Sequence, residues 1–367
     1  MVRAGLGSQW HCLFANDFDH KKSRIYRENW GRCELVTSDI RALQTKDVPG
    51  TADLAWASFP CQDLSLAGGG AGLKGDRSGT FWPFWGLIRG LAQEDRAPSL
   101  VVLENVCGTL TSHKGADFST ICEALRVGGY RFGAIVADAA LFVPQSRPRL
   151  FIVCVRENVD LPEGITTNGP SPPWHTRAIA RAFDRLPSLA KRKWVWWELP
   201  RPAKRTVEFA DLIEEEPTSV TWFSPDETLR LLDMMSPVNR AKVIEAQRRG
   251  RRIVGTVYKR TRTNANGRRV QRAEIRFDGL SGCLRTPAGG SSRQVVVVVD
   301  GESVKSRLIS SRETARLMGL TDDYVLPRNY NEAYHLTGDG VVVPVVRHLA
   351  SHLFELILKA SRTTVAA

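Results

Sequence analysis

A chain of 367 residues with 51 Lys and Arg against 39 Asp and Glu carries a formal charge of +12, enough length for a large core and two domains, and a balance that favours a polyanionic partner such as nucleic acid. Seven cysteines and seven histidines, scattered without paired spacing, speak against a disulfide framework or a metal site and suit a reducing, cytoplasmic setting. The sequence reads without a membrane-spanning apolar run and without a leader.

The first strand is expected over Trp10–Ala15, closing on Asn16-Asp17-Phe18-Asp19. A helix from about Lys21 to Asn29 follows, and Leu35–Thr37 leads into a second strand end at Ser38-Asp39-Ile40. The third strand runs through Ala52-Asp-Leu-Ala-Trp-Ala-Ser-Phe59 and stops at Pro60, which lacks a donor and cannot continue a central strand. Cys61 therefore stands just beyond a strand's carboxyl end, where open α/β sheets present reacting groups. Gly68, Gly69, Gly70, Gly72, Gly75 and Gly79 follow in one loop. Two readings of Cys61 stand at this point. One is a buried structural thiol, the other a nucleophile with a mobile lid.

Thr80–Glu94 reads as a helix, and Leu100–Leu103 as an apolar strand stopping at Glu104-Asn105-Val106. Phe118–Arg126 reads as helical, while Ala134–Ala137 and Leu150–Val155 read as strands around Gln145-Ser-Arg147-Pro-Arg149. Strands alternating with helices predict an α/β fold with a mostly parallel, doubly wound sheet.

From about Val159 to Leu280 that alternation gives way to prolines, tryptophans and charge. Trp194, Trp196 and Trp197 fit either base stacking or the packing of a small domain. Arg248–Arg276 holds eleven Lys or Arg and one acid, Glu274. A solvated face is the plain reading of such a run, but its density beside the turn-like Asn264-Ala-Asn-Gly267 favours phosphate contact. Val295–Val299 is a strand, Ser310–Leu317 a short helix capped by Ser310 or Ser311 with Glu313 in its first turn, and a last helix begins near Pro344.

The order of these features resembles the DNA (cytosine-5)-methyltransferases: Pro60-Cys61-Gln62, Glu104-Asn105-Val106, Gln145-x-Arg147-x-Arg149, a basic variable region, Arg312-Glu-Thr-Ala-Arg-Leu-Met-Gly319 and Gly338-Asp-Gly-Val341. The resemblance covers nearly the whole chain. It implies a methyltransferase-like (Rossmann-like) catalytic domain over 1–158, a smaller, irregular target-recognition domain over 159–285, and a return to the catalytic domain over 286–367. It implies that Cys61 adds to cytosine C6, that Glu104 hydrogen-bonds N3 and the exocyclic amine, and that Arg149 takes up charge at O2 with Arg147 as its neighbour. Asn105 would tie its strand end to the Pro60 loop.

The implied methyl donor is S-adenosylmethionine, with Asp17 on the ribose hydroxyls, Phe18 against adenine, Asp39 and Ile40 at the adenine edge, and Pro60, Gly340 and Val341 completing the pocket. All four residues around the adenosine also have plainer readings, since strand-end acids often cap helices. The implied partner is double-stranded DNA, its target cytosine flipped out under the loop carrying Gln62 and Ser65. Arg260, Arg262, Arg268, Arg269 and Arg272 would divide between phosphate and guanine contacts. A cognate restriction endonuclease is a candidate second partner, and a monomer is expected.

Two features depart from the family pattern. Gly5-Leu6-Gly7 precedes the Trp10–Ala15 strand and reads as a helix C-cap, so the family's opening strand and glycine-rich turn are expected to be missing, with a weakened hold on the donor's methionine half. Asp339 stands where many members have Asn. The alternative from another class is a DNA-binding relic that has lost catalysis. An RNA substrate is disfavoured by the long basic region and the absence of a Cys-Phe-Thr signature.

Overall fold

A computed structural model describes residues 1–59, 80–263, 267–286 and 293–365. They form two compact units. One, the α/β unit, comprises Leu6–Asp138, Pro148–Pro202 and Val346–Ala367; the other, the hairpin unit, comprises Met1–Gly5, Ala139–Arg147 and Ala203–Val345.

In the α/β unit, β1 (Ala15–Asp17) and β2 (Leu35–Thr37) pair in parallel as a sheet of their own. The first strand is displaced from the expected Trp10–Ala15: it starts at Ala15 and takes in Asn16 and Asp17, the positions that find partners in β2, while Leu13 is left exposed. A second sheet has the order β3-β4-β6-β5, built from β3 (Leu54–Ser58), β4 (Leu100–Asn105), β5 (Tyr130–Asp138) and β6 (Pro148–Arg156). β3 and β4 are parallel, whereas β6 runs antiparallel to both β4 and β5. The sheet is therefore less parallel than expected, because β5 returns to β6 through a link too short for a crossover helix. Two short strands, β7 (Thr166–Thr167) and β8 (Trp196–Trp197), pair beside it.

β4 reaches two residues past its apolar run, since Glu104 pairs with Phe151 and Asn105 with Leu150. Its core neighbours include Phe81, Trp85 and Ile88 from the helix Phe81–Gln93, with Phe118, Ile121 and Leu125 from the helix Ala116–Val127. Trp194 and Trp196 pack on that core with Phe183 at 5.4 and 5.0 Å, which is the domain-packing reading of the tryptophan cluster. Gly7, directly after the helix Val2–Leu6, has φ +86°, the left-handed conformation of a helix-closing glycine.

The hairpin unit holds β9 (Ile253–Thr263), β10 (Arg269–Arg276), β11 (Val295–Asp300) and β12 (Ser303–Leu308), all antiparallel in the order β10-β9-β11-β12. Val257, Ala273, Ile275, Val295, Val297 and Val299 point to one face, against Leu231, Val243 and Ala246 of the helices Pro225–Asp233 and Pro237–Arg248 and against Met235 between them. The helix Ser311–Leu317 opens with the capping box that Ser310 and Glu313 predict. Glu313 also receives Arg307 on both oxygens at 2.8 and 2.6 Å, with both side chains wholly buried.

The stretch Tyr330–Arg362 is long and apolar enough to cross a membrane by length and composition, which the sequence reading did not anticipate. Its helix breaks at Gly340, and Tyr334, Val345, Leu349, Leu353 and Phe354 are buried within protein, as core helices are.

Candidate functional site

Pro60, Cys61, Gln62 and Ser65 lie outside the described residues; Phe59 is the last described residue before them and is buried. The amide of Asn105 donates to the Phe59 carbonyl at 3.2 Å, while its own carbonyl accepts from Val106 N at 2.9 Å. The end of β4 thus holds the chain where it leaves β3, as expected of Asn105.

Glu104 and Arg149 come together although 45 positions apart, with Arg149 Nε 3.4 Å from Glu104 Oε1. The pairing of Glu104 with Phe151 puts both side chains on one face, two rows apart in the ladder. Their side chains are 9% and 18% exposed. A pair this far from water is held by position, since neither charge could be left there alone without a large desolvation cost. Burial pushes the thiol of nearby Cys107 up, and the charge of Arg149 opposes that rise.

Arg147 belongs to the hairpin unit, and the chain passes to the α/β unit immediately after it. Its guanidinium is buried and donates to the carbonyls of Leu284, Gly338 and Gly340, each at 2.7 Å, and to Cys283 Sγ at 3.4 Å. Gln145, also fully buried, donates to the Leu317 carbonyl and accepts from Leu284 N. Together these two side chains tie the 283–284 stretch to the turn at 338–340 and the end of the helix at Leu317. Gly340 caps the helix Tyr330–Asp339, Val341 is buried, and Asp339 accepts from the Thr286 hydroxyl.

Of the residues expected around the adenosine, Phe18 is 71% exposed, an unusual position for a phenyl ring. Beside it, Asp17 Oδ1 accepts from Asp19 N at 2.8 Å, and Asp19 caps the helix His20–Trp30. Asp39 caps the short helical turn Ile40–Ala42 and takes Arg41 Nε on both oxygens at 3.1 Å. Those bonds to Arg41 hold its carboxyl below the ordinary range. The capping reading of Asp39 is therefore realised, while its exposed setting leaves room for a ligand as well. These residues fit an adenosine: an open aromatic face, two acids and the Ile40 side chain at or just beyond the carboxyl ends of two parallel strands.

Arg260, Arg262, Arg269 and Arg272 lie on the β9–β10 hairpin, and Arg268 just before β10. Pairing sets Arg260 directly opposite Arg272. Glu274, opposite Tyr258, takes Arg262 through Nε at 2.9 Å and Nη2 at 2.5 Å, and meets Arg260 Nε at 3.6 Å. The Arg260 guanidinium lies 4.4 Å from the centre of the Tyr258 ring. Tyr258 and Glu274 were not singled out as functional from sequence. The one signal available was a sole acid within an otherwise basic run. Among the described residues, no group of three or more His, Cys, Asp or Glu could hold a metal, and the six cysteines are free thiols.

A family model described as "C-5 cytosine-specific DNA methylase" matches residues 2–355. The type II methyltransferase M.DsaV of Dactylococcopsis salina is 24% identical over 347 residues, covering 94% of this chain and 80% of the relative. M.HpaII of Haemophilus parainfluenzae, also a type II methyltransferase, is 25% identical over 363 residues, covering 94% and 83%. Among solved structures, the Entamoeba histolytica methyltransferase EhMeth superimposes with a TM-score of 0.59 at 12% identity, covering 93% of this chain and 89% of its own, a likeness in fold.

Proposed function

The chain belongs to the C-5 cytosine-specific DNA methylase family, a DNA cytosine-5 methyltransferase using S-adenosylmethionine, and from that premise we propose that it methylates a cytosine flipped out of duplex DNA through a covalent adduct with Cys61. Cytosine C5 is a poor nucleophile and needs activation. The Cys61 thiolate adds to C6, breaking the C5–C6 double bond and moving its electrons onto C5. Glu104 holds a proton at N3, so the ring can accept the addition. Arg149 stabilises charge gathering at O2. When bound, S-adenosylmethionine would supply the methyl group to C5, its S–CH3 bond breaking to release S-adenosylhomocysteine. A base then removes the C5 proton, the double bond re-forms and Cys61 leaves.

The observation that carries this reading is the Glu104–Arg149 pair, 3.4 Å apart on the neighbouring strands β4 and β6, with the residue after Glu104 tying down the chain that leads to Cys61. An acid and a fork-shaped cation held side by side suit the N3 and O2 edge of one pyrimidine. Phe18, Asp17, Asp39 and Ile40 would hold the adenosine of the donor. Arg147, spent on the carbonyls of Leu284, Gly338 and Gly340, holds together its own unit and is given no contact with the base. A base inside a duplex is out of reach of such a site, which is why flipping is included.

Trapping tests the proposal. Duplex DNA containing 5-fluorocytosine, incubated with the protein and S-adenosylmethionine, is expected to give an adduct that maps to Cys61 by mass spectrometry, because fluorine blocks the final elimination. An adduct that persists in Cys61→Ser, or maps to another thiol, overturns the assignment. Duplex binding with no adduct and no methylation would favour the relic.

A further inference from the structure

The β9–β10 hairpin has two unlike faces. One carries Val257, Ala273 and Ile275 into the core of the hairpin unit. The other carries, beyond the row of buried Thr256 with Arg276 at its root, Tyr258 with Glu274, Arg260 with Arg272, and Arg262 with Val270. Like charges directly opposite in a ladder are unfavourable, so the Arg260–Arg272 row is costly in the free protein. It makes sense on a face that meets a polyanion. A carboxylate on such a face is harder to account for, because it would repel phosphate.

Its surroundings explain it. The Glu274 side chain is 25% exposed, against 41% for Arg260 and 50% for Arg262. Both carboxylate oxygens face cations, Oε1 toward Arg262 and Oε2 toward Arg260. Glu274 thus lies beneath the arginines. The two guanidiniums are used differently. Arg262 spends Nε and Nη2 on Glu274, whereas Arg260 approaches it through Nε and rests on Tyr258 at 4.4 Å. Holding Arg260 by Nε and by its flat face leaves its two Nη groups as the outward fork, the geometry that reads O6 and N7 of a guanine in the major groove.

The geometry points to Arg260 as the residue that reads a guanine of the target site, with Glu274 and Tyr258 as its positioning residues and Arg272 as a phosphate contact. This rests on the reading of the chain as a sequence-specific DNA methyltransferase. A long, flexible arginine loses much entropy on ordering, and the carboxylate and the ring remove that cost before DNA arrives.

The test is selection by binding. The full chain is used to enrich duplexes from a pool in which the positions flanking a central cytosine are randomised, and the bound fraction is sequenced. The wild type is expected to enrich a motif with at least one required guanine. Arg260→Lys keeps the charge but lacks the fork. It should relax the preference at one guanine position by about five- to 150-fold, with the salt slope unchanged. Glu274→Gln should relax the same position while affinity for unrelated duplex holds or rises, a combination that simple damage to the fold does not produce. Tyr258→Phe should keep the preference and Tyr258→Ala should weaken it. Arg272→Ala should weaken binding evenly across sequences. A wild-type motif that survives intact in Arg260→Lys overturns the assignment. A wild type that enriches no motif overturns the recognition reading itself.

Discussion

In the β3-β4-β6-β5 sheet both faces of β4 are covered, and all six residues from Leu100 to Asn105 are buried. In the β10-β9-β11-β12 sheet the ladder begins buried at Val254–Val257 and ends with Thr261, Arg262 and Thr263 in solvent. The first arrangement fixes side chains at strand ends with little freedom, which suits an acid and a guanidinium that must meet one ring in one orientation. The second keeps a core-bound root while its outer part can change residue by residue without touching that core. On the function proposed above, chemistry is common to every substrate and recognition is not, so that function gives the rigid sheet to the first and the half-free hairpin to the second.

The sharpest break between the two should come at Glu104. Glu104→Gln keeps the shape and removes the proton-sharing carboxyl, so methylation should fall by about 10²- to 10⁴-fold. Duplex affinity should stay within a few-fold, since the residue lies outside the basic hairpin. Transfer of labelled methyl groups, together with a gel-shift titration, measures both. A loss of affinity as severe as the loss of rate would show that the division between the sheets is wrong.

The hairpin unit has a rigid part of its own. The Arg307–Glu313 pair is wholly buried, and Glu313 also accepts from Ser310 N and Glu214 N. Glu313→Ala would leave the Arg307 charge buried and alone, which costs about 3–5 kcal/mol. Denaturant unfolding should show that loss. Arg262→Ala, at an exposed pair, should cost under about 1 kcal/mol. Equal losses at the two sites would mean that the outer hairpin supports the fold as much as the buried pair does.

Acid should act first on the α/β unit. His175 accepts from Ser171 N at 2.9 Å through Nδ1, and burial lowers its pKa from 6.5 to about 4. Burial and neighbouring His352 lower His348 as well. A base whose folded pKa is depressed takes up its proton first in the unfolded chain as pH falls. Its stability is present above pH 6.5 and is lost as pH falls toward 4. For His175 the loss approaches about 3 kcal/mol. Asp39 and Glu355, both held low by arginine partners, add their losses only below the ordinary carboxylate range. His175→Gln should therefore flatten the stability profile between pH 6.5 and 5, which denaturant unfolding at stepped pH would reveal. An unchanged slope would show that His175 is protonated in the folded protein.

How legible these regions were follows from the same physics. The core of β4 was visible as an apolar run, but Glu104 and Asn105 look like the start of a loop because polar residues rarely continue a buried strand. The Trp10–Ala15 run looks like a strand, yet pairing is decided by the neighbour, and β2 takes Ala15, Asn16 and Asp17 instead. β9 and β10 were hidden by their arginines, which obscure the alternation of Val257, Ala273 and Ile275 beneath. The cap at Ser310 was readable because it depends on residues three apart. The contact of Glu104 with Arg149 was not readable from spacing, since 45 positions, a helical crossover and a strand reversal separate them. Nor did anything local reveal that Arg147 would be spent on three carbonyls.

The smallest expected effect separates binding from stability within the hairpin alone. Arg272 faces Arg260 across the ladder, a like-charge pair that opposes folding by a few tenths to about 1 kcal/mol. Arg272→Ala removes that repulsion, so the free protein should become slightly more stable. If Arg272 contacts a phosphate as proposed, the same change deletes that contact, and the dependence of log affinity on log salt should flatten by about 0.9. Two opposite signs from one substitution are hard to obtain by general damage. Binding measured from 50 to 200 mM salt, beside a thermal melt of the free protein, would decide it. A salt slope identical to wild type would remove Arg272 from the DNA-facing side. A lower melting temperature would show that the Arg260–Arg272 row is held together by contacts stronger than its charge repulsion.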